Sequence, residues 1–215
     1  MRQAFILLLC LISLQSIAQN QRIKVGFQYT QDNISGENIV YDNDNLVGER
    51  IFRDEYNYSI GFTTTLLTNS NFSFKSGLLY SNKDYKALET CPNCLSIGIP
   101  IPDFIRQRFI SVPVQLSFRA KEYKISPVFD AGFISNFGLS EGVEFSRDNF
   151  LEASFSLGMA YAISESFDIQ LSYFNRSAIS AIYDSRVGKD PSDPEYKPNR
   201  LKTEGFSVNV LYSFN

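Results

Sequence analysis

From Leu151 to Tyr161 every second residue is apolar. Leu151, Ala153, Phe155, Leu157, Met159 and Tyr161 alternate with Glu152, Ser154, Ser156, Gly158 and Ala160. The pattern returns at the other end of the chain, where Phe206, Val208, Val210, Tyr212 and Phe214 alternate with Gly205, Ser207, Asn209, Leu211 and Ser213. A strand points successive side chains to opposite faces, so a period of two makes one face apolar and the other small and polar. Beyond the first twenty or so residues no segment carries a helical period. Eight strand-like segments are expected, near 22–31, 55–67, 72–85, 105–119, 124–138, 148–162, 167–180 and 203–214. Most exceed the roughly 5–6 residues of a typical soluble strand and match the 9–11 or more that a tilted strand needs to cross a bilayer.

The connections alternate in length. Short turns fall at Thr68-Asn69-Ser70-Asn71, Ala120-Lys121-Glu122-Tyr123 and Ser164-Glu165-Ser166. Long polar connections are expected at 32–54, 86–104, 139–147 and 181–202. An antiparallel up-and-down barrel puts alternate connections at opposite ends, and in an outer-membrane barrel the short turns face the periplasm and the long loops the exterior. An even number of strands leaves both termini on the short-turn side. A sandwich has no reason to sort its loops in this way.

Which face looks outward separates a membrane barrel from a soluble one. A lipocalin-like barrel or a sandwich would turn the apolar face inward and the polar face to water. Here the polar face carries Gly26, Gly61, Gly77, Gly132, Gly158 and Gly205, with Ser59, Thr63, Ser111, Ser117, Ser154, Ser156, Ser172 and Ser207. Glycine weakens a strand and is a poor choice for a water-facing surface. Small residues suit the narrow interior of eight strands, which is just wide enough for side chains to fill. The apolar face carries Tyr56, Tyr58, Ile60, Phe62, Phe72, Phe74, Leu78, Tyr80, Phe129, Phe133 and Phe137, too much volume to crowd inward without overpacking. Tyr29, Tyr56, Tyr80, Tyr161, Tyr212 and Phe214, near strand ends, fit interfacial aromatic girdles. The expected fold is an all-β, eight-stranded antiparallel up-and-down transmembrane β-barrel.

The N-terminus agrees with export. Arg2 is followed by an apolar run from Ala4 to Leu14, and Ser16-Ile17-Ala18 places small residues at the positions a signal peptidase reads. Residues 1–18 are expected to be a signal peptide cleaved after Ala18, with 19–215 as the barrel. The run is shorter than the roughly 20 apolar residues of a spanning helix. A lipoprotein reading on Cys10 fails because the large Leu9 precedes it. The formal net charge of −3, with no basic run, argues against a nucleic-acid partner.

Arg108-Phe109-Ile110-Ser111-Val112-Pro113-Val114-Gln115-Leu116-Ser117-Phe118 resembles the Y-(I/L)-(E/S)-(I/V)-P-(L/V) strand of the outer-membrane β-barrel domain family of Bacteroidota, which includes the PorT-like proteins. The Ile17-Ala18-Gln19 end of the leader, the Gly-and-aromatic strands and the terminal Tyr212-Ser213-Phe214 are similar to that family too, although the chain ends on Asn215. The resemblance implies an eight-stranded barrel in the outer membrane and no single activity; PorT itself is linked to protein secretion. Read from the residues alone, a proline inside a strand removes a ladder donor, so Pro113 is expected to mark a bulge.

Chemistry is sparse. The absence of histidine removes His-based triads, general bases and metal ligands. Cys91-Pro92-Asn93-Cys94, in an expected external loop, reads as a loop disulfide in an oxidising compartment. A redox CxxC lacks its helix context, and a zinc site lacks further ligands. Lys24, Lys75, Arg119, Asp130, Glu152 and Asp168, with Gln115 and Gln170, are expected to face the lumen. They make either an internal salt-bridge network that plugs it or a polar path for a small solute. Asp130 and Glu152 are also the candidate carboxylate pair of an enzymatic alternative. Asp42-Asn43-Asp44-Asn45 lacks the Gly and distal Glu of an EF-hand loop. No cofactor is expected.

The sequence therefore points to a non-enzymatic barrel that anchors in outer-membrane lipid, is inserted by barrel-assembly machinery, and presents long loops to an envelope or secretion partner. Alternatives are a component of a PorT-like secretion or envelope-assembly machine, a narrow pore, and a soluble periplasmic ligand-binding barrel.

Overall fold

The computed structural model describes residues 22–42, 45–53, 56–67, 71–90, 103–120, 123–139, 149–180 and 201–214. The expected leader, Cys91, Cys94, and most of the last long connection lie outside these residues. Nine strands are described: β1 (Arg22–Asp42), β2 (Asn45–Arg53), β3 (Asn57–Leu67), β4 (Phe72–Thr90), β5 (Asp103–Arg119), β6 (Ile125–Gly138), β7 (Asn149–Ala162), β8 (Phe167–Ala178) and β9 (Lys202–Ser213). Each of β3 to β8 pairs antiparallel with the next, β1 pairs with β3, and β1 also pairs with β9, which closes the ring. The ring has eight strands, because β2 continues the line of β3 between the same two neighbours, β1 and β4.

The register fixes the shape. A walk across the ladders from Lys24 meets Thr65, Lys75, Gln115, Gly132, Ser154, Arg176 and Thr203, and returns to β1 at Ile34. One circuit thus climbs from residue 24 to residue 34 of the same strand. With ordinary strand rise and spacing, that stagger over eight strands tilts them by about 40° to the barrel axis. Every residue on the walk faces inward.

Burial settles the faces. Phe62, Phe74, Leu78, Phe129, Phe133, Phe155, Leu157, Met159, Leu171 and Phe206 are all exposed, Leu157 at 66 %. The inward positions of the same strands, such as Thr63, Lys75, Asp130, Ser154 and Ser172, are buried. The outward apolar run on β7 from Leu151 to Tyr161, exposed from Phe155 on, covers about 25 Å along the axis at this tilt, the height of a lipid-facing band. A contiguous apolar surface of this extent has no counterpart on a water-soluble monomer.

At the terminal end the connection between β7 and β8 is tight. Between β7 and β8, Ile163 N–H donates to the Phe167 carbonyl at 2.9 Å, and the Ser164 hydroxyl accepts the Phe167 N–H at 3.1 Å. Serine bonding to the backbone two or three residues on is what lets so short a segment reverse the chain.

Two expectations are corrected. The segments 32–54 and 86–104 are not wholly loop. β1 runs on to Asp42, β2 pairs back onto it from Ser35↔Phe52 to Asp42↔Asn45, and β4 and β5 extend to Thr90 and from Asp103. Polar composition concealed these strands because outside a membrane band a paired strand need not be apolar on either face. Pro113 marks no bulge: the β4–β5 register is the same at Ser76↔Val114 and at Leu79↔Ser111, so no residue is inserted. The ladder merely skips the Gly77–Pro113 and Leu78–Val112 levels, beside a proline that has no N–H to donate.

Candidate functional site: the lumen of the barrel

The lumen is filled in layers. Nearest the termini, Asp168 sits between two cations. Arg119 donates to it through Nη1 at 2.9 Å and Nη2 at 3.3 Å, and Lys24 Nζ pairs with the same carboxylate. One step further in, Asp130 Oδ2 accepts from Ser156 at 3.1 Å, Gln170 at 3.2 Å and Lys75 at 3.5 Å. Gln115 reaches across to Ser154 at 3.0 Å. The partners in each group come from different strands, and the stagger of the barrel brings them level.

An apolar waist follows. Leu79, Ile134 and Phe174 are almost fully buried there, among inward-facing Gly61, Gly132 and Gly205. Phe174 stands directly across the ladder from Gly205, and a Cβ at Gly205 would come within 3.0 Å of its ring and 1.8 Å of the Gln31 carbonyl oxygen. Glycine is what allows a large ring to cross so narrow a bore. Around the waist, Gln28 Oε1 and Asn209 Nδ2, on paired residues, are buried without a hydrogen-bond partner among the described residues.

The second polar layer is larger. Asp32 accepts from Thr30 at 2.7 Å and from Ser59 at 2.9 Å, and lies 3.7 Å from Arg176. Ser81 donates to Ser59 at 2.9 Å and lies 2.7 Å from Ser111, which reaches the Asn136 amide at 2.5 Å. Asn136 Nδ2 donates to Glu152 at 2.9 Å, and Lys83 Nζ donates to both Glu152 oxygens at 3.1 and 3.3 Å. A chain of close polar contacts therefore runs from Asp32 on β1 to Glu152 on β7. Lys83 and Glu152 are both fully buried. A charge in such a place is tolerable only when paired and hydrogen-bonded.

At the far end an apolar cap covers this layer: Ile34, Tyr85, Phe109, Phe150, Ala178 and Leu201. Phe109 and Phe150 meet edge to face at 5.1 Å, and Lys83 Nζ lies 5.6 Å from the Phe150 ring centre.

Lys24, Lys75, Arg119, Asp130, Glu152 and Asp168 all face the lumen, but they do not form one cluster. Lys24, Arg119 and Asp168 form one group and Lys75 with Asp130 a second. Glu152 belongs to the far layer, paired with Lys83. Asp130 and Glu152 are thus held by different lysines, not by each other. Lys83, Arg176 and Asp32 were missed. Lys83 and Arg176 share the alternation phase of Lys75 and Asp168 on their strands, so the signal was present. Asp32 is hidden because it falls at the start of the expected 32–54 connection. Among the described residues no cluster of three His, Cys, Asp or Glu could hold a metal ion.

Residues 4–214 match the family described as outer membrane protein beta-barrel domain. The chain belongs to that family. It is an outer-membrane barrel, and its outward apolar face is the lipid face. No curated protein matches. Among solved structures it is similar to Neisserial surface protein A, at a TM-score of 0.53 and 11 % identity over 89 % of this chain and 97 % of that one. It is also similar to OprG from Pseudomonas aeruginosa, at 0.48 and 11 % over 91 % and 95 %. A third likeness is to Ail of Yersinia pestis, at 0.45 and 12 % over 90 % and 99 %. The first of these likenesses shows the closed barrel fold.

Proposed function

We propose that this family member is a sealed, non-enzymatic barrel that anchors in the outer membrane and holds its far, external end as a rigid platform for contact with an envelope or surface partner. One observation carries the reading: the lumen is occupied from end to end by two ion-paired layers, an apolar waist and an apolar cap. Ions or a small solute would have to strip Lys83 and Glu152 of their partners and pass the cap, at a cost of several kcal/mol for each buried charge uncovered. The sheet that β1, β2, β4 and β5 continue past the ring supports the platform half of the reading, because a paired strand is stiffer than a loop of equal length.

The termini and short turns then face the periplasm, as expected of a chain delivered from that side after loss of its leader. In planar bilayers the purified full-length protein should give no unitary conductance steps. Stable, reproducible steps would replace the platform with the narrow-pore reading. A PorT-like role in secretion or envelope assembly makes a separate demand, that fixed partners be recovered with the protein after mild detergent extraction.

A further inference from the structure

We propose that the outward wall of β8, β9 and β1 at the external end binds the sugar headgroup of an outer-leaflet glycolipid; this rests on the membrane reading above. The register stacks four cross-strand rows on that wall. The lowest is apolar: Tyr29, Val208 and Leu171. Above it lie Gln31, Phe206 and Tyr173, then Asn33, Glu204 and Asn175, and then Ser35, Lys202 and Ser177. The wall passes from lipid-compatible to hydrogen-bonding within two rows. On β5 and β6 the outward face stays apolar to the end of the ladder, where Ile110 faces Phe137.

A cleft of about 260 Å³ opens on these rows, lined by Gln31, Asn33, Tyr173, Glu204, Gly205 and Phe206, with the buried Asp32 behind them. That is room for about one pyranose ring, below the size of a drug-binding cavity. Tyr173 and Phe206 meet edge to face at 5.5 Å and offer aromatic surface to the C–H face of a sugar. The Tyr173 hydroxyl donates to Glu204 Oε2 at 2.8 Å, which orients the carboxylate and leaves it free to accept from hydroxyls. Gln31, Asn33 and Asn175 supply both donors and acceptors. A carboxylate at the centre repels a phosphate, so the neutral hydroxyls of the headgroup are the fit. Acyl chains of the same molecule would lie below, along exposed Val208 and Leu171.

The test measures retention of a labelled monoglucosyl diacylglycerol, whose headgroup is an uncharged sugar, by the full-length protein in detergent, beside labelled phosphatidylglycerol, for wild type, Glu204→Gln and Tyr173→Phe. Both variants change exposed groups outside the lumen. Wild type should retain the neutral glycolipid, and Glu204→Gln should weaken its retention by about tenfold, the scale of one charge-assisted hydrogen bond. Tyr173→Phe should weaken it less, and phosphatidylglycerol should be indifferent to both. Equal retention by all three proteins, or a parallel loss of both lipids, overturns the proposal. So does a cross-linked dimer lost in the variants while binding of the neutral glycolipid persists, which assigns the wall to a second copy. A heat-dependent gel shift is recorded on the same samples. A normal shift with indifferent variants sinks the sugar site alone, whereas a wild type without a shift sinks the membrane reading and the site with it.

Discussion

At the scale of single residues, the lumen shows how charge is made tolerable without water. Lys83 and Glu152 are fully buried, and each depends on the other. Replacing Glu152 with Ala leaves the Lys83 ammonium stranded between Phe150 and the serine chain, and should destabilise the barrel by about 3–5 kcal/mol. The double replacement Lys83→Met with Glu152→Leu removes both charges and should cost less than Glu152→Ala alone. Urea midpoints for folding into lipid vesicles measure both. If the single variant is as stable as wild type, the pair carries no folding energy.

At the scale of elements, each strand spends its alternation on two different solvents. On β7 the outward residues Phe155, Leu157 and Met159 meet lipid, while Glu152, Ser154 and Ser156 meet the lumen. Leu157 stands near the middle of the apolar band. Leu157→Arg should therefore cost about 2–4 kcal/mol in vesicles, the penalty for a cation on the lipid face at mid-depth. On a water-facing surface the same change is worth within about 0.5 kcal/mol. The two values lie far enough apart that one unfolding series separates a lipid face from a wet one.

At the scale of the whole molecule, closure depends on the part of β1 that pairs with both β3 and β9, residues 24–32. The β1–β2 hairpin beyond Ser35 adds sheet above the ring but no closing contact. Deleting residues 36–53 should leave the protein in the outer-membrane fraction, with the different SDS-gel mobilities of unboiled and boiled samples that mark a closed barrel. Loss of that shift would make the hairpin part of the closure and not an extension of it.

The sequence by itself determined the strand class, the eight-membered ring and the outward direction of the apolar face. All three follow from local rules: a period of two, alternating connection lengths, and small residues that fit only a narrow interior. The glycines at 61, 132 and 205 were legible as interior positions in the same way. The tertiary structure decided which charges meet. Lys24 and Asp168 are remote in sequence, and only a stagger of ten residues per circuit brings them level. The same stagger puts Glu152 with Lys83 instead of Asp130, and splits the lumen charges into layers that alternation alone leaves as one list. Pairing also drew strands out of polar sequence in β2 and at the ends of β4 and β5, where hydrogen bonds to neighbours, not hydrophobicity, make the strand. Period is a property of the chain; height along the axis is a property of the closed ring.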